Sequence, residues 1–284
     1  MKQIICARIF SELQVVLIGD DSGVLHILQR DGTWYLARQS KIAENIITSI
    51  DLSSDSKYLL FTVGDSRVYI YDYVQMTVKN SLKYDSGTIL SAKFVYDTHQ
   101  FVFACDDKII LGDIDSGTTR VLAKTLNVNQ CNIDVDKSGE NVVVGKYWGE
   151  IELFKVEGQQ QNIFNSKNPS PKVLFDHTST SIGVCDGEVN LINLSNGRIE
   201  NRLACDSYVK DFTFGSETQA VYGLTENGMY VWKIPTDPNP KKIRLQSRSN
   251  ELLDISANFL LLVEYSTLNI YNLNTMIHLY TYNV

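Results

Sequence analysis

The chain has 284 residues, 44% hydrophobic and 21% charged, with a net charge of −7 from 26 basic and 33 acidic residues. That balance suits a folded globular chain and argues against a broad phosphate-backbone footprint, while leaving room for one local basic patch. The length admits two average domains or one all-β unit.

Taken from the N-terminus, Met1–Gly19 is interrupted by Arg8 and Glu12 and lacks the continuous apolar core of a signal peptide. Short apolar runs bounded by Gly, Asp, Asn and Ser follow, without sustained helical periodicity. Leu25-His26-Ile27-Leu28-Gln29 is the first of seven segments of one shape. The others are Val68–Asp72, Ile109–Asp113, Ile151–Lys155, Val189–Asn193, Met229–Lys233 and Leu268–Asn272. Their starts, near 25, 68, 109, 151, 189, 229 and 268, lie 38 to 43 residues apart. A repeat of about 40–45 residues is the length of a four-stranded propeller blade. An inner strand and hairpin partner precede each such segment, as in "ITSIDLSSDSKYLLFTVG", and a more polar fourth strand follows, as at Met76–Lys83. Polarity rises outward because the fourth strand is an exposed edge. The expectation is all-β: one seven-bladed β-propeller of four-stranded antiparallel blades over residues 1–284. No residues are left over at either end to exchange a strand, so closure by face packing is expected. Near the C-terminus, Phe259–Val263 is too short to cross a bilayer, so no membrane insertion is expected.

The segments Gly149-Glu150-Ile151-Glu152-Leu153-Phe154-Lys155 and Gly187-Glu188-Val189-Asn190-Leu191-Ile192-Asn193 carry the pattern Gly-x-Val-x-Ile-Trp-Asp in altered form. Over essentially its whole length the chain resembles the WD40-repeat family as a degenerate member. The family's Trp position holds Leu28, Tyr71, Gly112, Phe154, Ile192, Trp232 and Tyr271, and its Asp remains as Asp72 and Asp113. No Gly-His pair occurs, so the family's buried Asp–His–Ser–Trp network is not expected. The resemblance implies a non-catalytic scaffold, a subunit of a multiprotein complex that binds partner proteins or peptides on a loop face.

Candidate contact residues come from loops expected on that face. The turns between second and third strands carry Asp20, Asp21, Asp65, Asp106, Asp107, Asp186 and Glu226, which could attract a basic segment. Asp-Gly and Asp-Ser are also ordinary hairpin turns, and we read the acids as turn residues first. Tyr147-Trp148 and Tyr265 replace acids in two of these turns, and Tyr84 and Tyr208 lie in the fourth-to-first connections. Exposed aromatics of this kind serve as binding anchors; the competing reading folds each ring onto its own blade. On the inner strands, Arg8, Asp51, Lys93, Asp134 and Asp254 fall at one equivalent position, which also holds Leu174 and Thr213. We read them as solvated channel ion pairs, each worth about 0–1 kcal/mol, rather than an axial site for an ion or metabolite. Asp254 is expected to meet Arg8 across the closure.

Lys241, Lys242, Arg244 and Arg248 form the one basic cluster, which an RNA-associated subunit could use; on an edge strand such charges also keep the edge solvated. No catalytic motif is present: "DVDKSGE" at 134–140 fails as a calcium loop because its twelfth position is Gly145. The four histidines (26, 99, 177, 278) scatter over four units. No enzyme activity, cofactor or metal is expected, an axial-metal hydrolase being the remote alternative. The five cysteines (6, 105, 131, 185, 205) form no CxxC pair; free thiols imply a reducing compartment, cytoplasm or nucleus. A monomeric propeller within a hetero-complex is expected.

Overall fold

A computed structural model describes residues 2–84, 89, 91–105, 108–124, 132–157, 160–166, 171–215, 219–234, 237–245 and 251–284. Asp106, Asp107 and Arg248 lie outside the described residues.

Twenty-eight strands form seven antiparallel four-stranded sheets, each ordered as in the chain. Blade 1 is β1 (Ile4–Phe10), β2 (Val15–Asp20), β3 (Val24–Asp31) and β4 (Thr33–Lys41). Blade 2 is β5 (Ile47–Leu52), β6 (Tyr58–Val63), β7 (Arg67–Asp72) and β8 (Thr77–Lys83). Blade 3 is β9 (Ala92–Phe94), β10 (Gln100–Cys105), β11 (Lys108–Asp113) and β12 (Thr119–Lys124). Blade 4 is β13 (Asn132–Val135), β14 (Asn141–Gly145), β15 (Glu150–Lys155) and β16 (Gln160–Asn165). Blade 5 is β17 (Lys172–Phe175), β18 (Ser181–Cys185), β19 (Val189–Asn193) and β20 (Ile199–Leu203). Blade 6 is β21 (Val209–Phe214), β22 (Ala220–Thr225), β23 (Gly228–Lys233) and β24 (Asp237–Ile243). Blade 7 is β25 (Leu252–Ser256), β26 (Phe259–Glu264), β27 (Thr267–Asn272) and β28 (His278–Asn283). The fold is an all-β, seven-bladed propeller, and the third strands begin within one residue of the positions expected from the repeat.

Second strands are the most buried. All six residues of β2 are buried, whereas β8, "TVKNSLK", has six exposed positions of seven. A middle strand is covered on both faces and so reads as a continuous apolar run, while the edge strand meets water. At the family's Trp position blade 3 has Gly112. A Cβ there would stand 2.3 Å from the Phe101 ring, so Phe101 of the adjacent strand occupies the space that a side chain would need.

The chain groups into two compact units. One contains Met1–Ile47, Gly187–Asn190 and Arg202–Val284; the other contains Thr48–Asp186 and Leu191–Asn201. In the second unit, apolar clusters join blades 2 and 3 through Leu60, Ile70, Phe94 and Phe103, and blades 3 and 4 through Val102, Leu111, Val142 and Phe154. A further cluster joins blades 4 and 5 through Val143, Ile151, Val173 and Ile192.

The first unit holds the junction of blades 7 and 1. No strand is exchanged there. Ile9, Val16, Ile18 and Trp34 pack against Phe259, Leu261, Val263 and Ile270, with the Trp34 and Phe259 rings edge-to-face at 5.5 Å. The Ile4 N–H donates to the Tyr265 carbonyl at 2.8 Å.

A buried polar network lies in the same junction. Asp20 Oδ1 accepts from the Ser22 and Val24 N–H groups and the Ser22 hydroxyl, and Asp20 Oδ2 lies 3.0 Å from His26 Nε2. His26 Nδ1 is 2.9 Å from the Tyr282 hydroxyl on β28, which also accepts from Gln39 of β4 at 2.8 Å. A neutral ring satisfies every contact: Nε2–H donates to Asp20 and Nδ1 accepts from Tyr282. Burial lowers the His26 pKa, with Asp20 opposing in part. Burial would raise the Asp20 carboxyl, but the Val24 N–H, His26 and Ser22 hold it below the usual carboxylate range. This network, joining β3 to β28, stands in the junction.

Tyr282→Phe removes a buried hydroxyl with two partners and is expected to cost about 1 kcal/mol in urea unfolding. His26 titrates lower in the folded than in the unfolded chain, so its contribution is whole above the ordinary value of 6.5 and is lost as pH falls. The stability gap between wild type and His26→Gln is expected to narrow as pH drops below that value; a gap independent of pH would contradict the neutral-ring assignment.

Candidate functional site

The inner strand of each blade has one edge paired with its second strand and one edge open, so alternate N–H groups need acceptors from elsewhere. At the junctions of blades 2 with 3, 4 with 5, 6 with 7 and 7 with 1 those acceptors are side chains of the preceding blade. Asp51 Oδ2 of blade 2 accepts from Phe94 N of blade 3 at 2.8 Å. Asp134 Oδ2 of blade 4 accepts from Phe175 N of blade 5 at 2.8 Å, and Asp254 Oδ2 of blade 7 from Ile9 N of blade 1 at 2.9 Å.

A second position two residues away does the same work, because alternate strand residues share an edge. Ser49 accepts from Ala92 N at 3.3 Å, Asn132 from Val173 N at 2.9 Å, and Asp211 from Leu253 N at 2.8 Å. Beyond Asp254, Ser256 accepts from Ser11 N at 3.2 Å.

This changes the reading of the inner-strand charges. Lys93 Nζ stands 3.4 Å from Asp51 and Arg8 Nε stands 3.3 Å from Asp254, but both carboxylates are largely buried. They are not simply solvated ion pairs: each holds a backbone donor of the next blade, and the cation is its second partner. The sequence alignment placed Thr213 in this column and missed Asp211, which bonds from the neighbouring column. The signal it overlooked is a pair of acceptors spaced by two on three of the inner strands: Ser49/Asp51, Asn132/Asp134 and Asp254/Ser256. Beside the charges of blades 2 to 4 lies a cleft of about 200 Å³ lined by Asp51, Lys93, Asp134, Tyr96 and Lys137, among others. Among the described residues no group of three or more His, Cys, Asp or Glu side chains is gathered for a metal ion.

The loop residues divide. Trp148 is 66% exposed in the β14–β15 turn, with the Tyr147 ring edge-on at 4.9 Å. Behind it the Lys146 ammonium is buried between Glu150 at 2.5 Å and Glu152 at 3.1 Å, which gives the turn a fixed base. Tyr208 and Tyr265 are 58% and 55% exposed. Tyr265 also has φ 48°, a left-handed conformation that a bulky residue rarely adopts. Tyr84 differs: its ring stands edge-on to Phe103 at 5.1 Å and its hydroxyl donates to Thr119. It folds onto its blades, as the competing reading held.

The acidic turns divide too. Asp20 is fully buried in the network above, Asp21 is half-buried, Asp186 accepts from the Ser166 hydroxyl at 3.4 Å, and Glu226 pairs with Lys210 at 3.3 Å. In the basic cluster Lys241 and Arg244 are exposed, but Lys242 pairs with Asp206 at 3.2 Å and sits over the Tyr230 ring at 5.1 Å. Asp206 also accepts from the Tyr230 hydroxyl. Lys242 is therefore engaged within its own blade, where the sequence suggested an outward patch.

Removing an acceptor strands a buried N–H, whereas removing the partly exposed Arg8 cation only weakens a pair. Asp254→Ala is expected to cost about 1–3 kcal/mol in urea unfolding, and Arg8→Ala under about 1 kcal/mol. Equal losses would contradict the assignment of the carboxylate to the backbone.

No protein-family model matches the chain, and no curated protein matches it in sequence. Among solved structures it is similar to the β-propeller domain of Myceliophteria thermophila Cps50 (Swd1), with a TM-score of 0.75 at 15% identity, covering 100% of both chains. The likeness is one of fold, and with the seven four-stranded blades it makes this chain a seven-bladed β-propeller.

Proposed function

We propose that the protein is a non-catalytic interaction platform, a propeller subunit of a multiprotein complex that docks a partner protein or peptide on its second-to-third-strand turns. The observation that carries this reading is the exposure of Trp148 in a turn that Lys146, Glu150 and Glu152 hold from beneath. An indole in water is an unfavourable surface for a folded protein unless something covers it, and Trp and Tyr are the residues that most often anchor interfaces. Tyr208 and Tyr265 extend the same logic to the other unit. Glu150 at the start of β15 and Asp186 in a turn, both in the unit that bears Trp148, favour a partner segment carrying Lys or Arg, whose cations also stack on Trp.

The setting is a reducing compartment, cytoplasm or nucleus. Cys6 and Cys205 are free thiols; burial pushes the Cys6 thiol up to about 12 and raises Cys205, so these two act as small hydrophobes. The RNA reading rests on Lys241, Lys242, Arg244 and Arg248. With Lys242 held by Asp206, protein remains the better-supported partner class.

Purification from the native cell tests the reading. Trp148→Ala with Tyr147→Ala is expected to lower recovery of a stoichiometric partner roughly 30-fold, the equivalent of a 2 kcal/mol hot spot. Thermal stability should not move, since surface substitutions change it by under about 0.5 kcal/mol. Full partner recovery with both variants of this turn would overturn the assignment of the contact surface.

A further inference from the structure

His99 joins two blades through both of its ring nitrogens. It lies between β9 and β10 of blade 3, Nε2 stands 3.1 Å from Asp55 Oδ2 in the β5–β6 hairpin of blade 2, and Nδ1 stands 2.9 Å from Asp115 Oδ2 in the β11–β12 turn. A neutral imidazole has one N–H and cannot donate to both carboxylates; the doubly protonated ring can. The Tyr58 ring stands edge-on to the imidazole at 5.1 Å and fixes its plane.

The three side chains line a cleft of about 650 Å³ together with Asp97, Gln100 and Asp113. We propose that His99 is a pH-released latch: as an imidazolium it ties the first hairpin of blade 2 to the last turn of blade 3 across this cleft, and on losing its proton it lets the Asp115 turn go.

The charges around it support this polarity. From blade 2, Asp55 faces Nε2 and carries Lys57 at 3.0 Å, while Lys79 lies over the Tyr58 ring at 4.4 Å. From blade 3, Asp115 faces Nδ1, and Asp97 and Asp113 share the cleft. Carboxylates therefore touch the ring directly, while the two ammonium groups contact Asp55 and Tyr58. Asp55 and then Asp115 raise the His99 pKa above 6.5, against burial. Burial would raise Asp55, but His99, Ser53 and Lys57 hold it far below the usual carboxylate range.

The sign follows. The His99 contribution is whole below 6.5 and lost as pH rises through the raised folded value; the Asp55 side is whole above 3.8 and lost as pH falls through its lowered value. The latch holds between these limits and releases on the alkaline side. Asp115 is the end that leaves, because Asp55 keeps Ser53 and Lys57 as partners, and Asp115 is the more exposed of the two.

The turn it releases can be watched directly. The Ile114 N–H donates to the His99 carbonyl at 3.1 Å, and the Gly117 N–H to the Asp113 carbonyl at 3.0 Å. Imidazole proton–nitrogen NMR on the whole chain is expected to show His99 titrating above 6.5, with both ring N–H signals visible below that value. Amide exchange at Ile114 and Gly117, corrected for its chemical pH dependence, is expected to be several-fold faster at about pH 8.5 than at about pH 5.5 in wild type. In His99→Gln, which does not titrate, the corrected ratio should be close to one. Asp115→Asn, at an exposed site, should keep the fold and lie between. A His99 titration at or below 6.5, a wild-type ratio close to one, or the same ratio in His99→Gln would each overturn the proposal.

Discussion

The hydrogen bond on which the architecture turns runs from the inner strand of one blade to a side chain of the blade before it. A four-stranded antiparallel sheet has two open edges. The outer edge meets water, but the inner edge is packed beside its neighbour, and Ile9, Phe94, Phe175 and Leu253 are buried. Their N–H groups would each cost a desolvation penalty without an acceptor. Asp254, Asp51, Asp134 and Asp211 supply it. Apolar packing between blades is non-directional and would tolerate sliding; a carboxylate aimed at one backbone donor specifies register. The cations Arg8 and Lys93 then offset the burial of charge.

The repeat was legible because its cause is local. Every third strand is sandwiched between two others, so its apolar alternation and flanking turn residues recur with the blade, and the starts could be placed to within a residue. Outer strands were legible for the opposite reason, their polarity. The acceptor column two residues from Asp51, Asp134 and Thr213 was not, since Ser49 and Asn132 read as ordinary polar positions until the partner strand is in place. Nor was the pairing of His26 with Tyr282, 256 residues apart, in the junction between the first and last blades. Asp20 was taken for a turn acid, and it is one, through Ser22 and Val24; its buried second oxygen makes it also the anchor of that network.

Charge behaved less simply than its sign suggested. Acidic residues serve at least three purposes: turn formation at Asp20, support of a buried lysine at Glu150 and Glu152, and inter-blade bonding at Asp51 and Asp254. Lys242 likewise pairs with Asp206 at the surface. Aromatic residues differ in how far they stand out: Trp148 is 66% exposed, whereas Tyr84 packs beside Phe103 of the next blade. A propeller with so regular an interior leaves its individuality to a few loop side chains.

Amide hydrogen exchange resolved at single residues, on the deuterated whole chain, tests the inter-blade bonds most directly. The account predicts that the N–H groups of Ile9, Phe94, Phe175 and Leu253 exchange as slowly as those of the buried second strands, opening only with global unfolding. Exchange at the rate of open edge amides, like those facing water on β8, would contradict it.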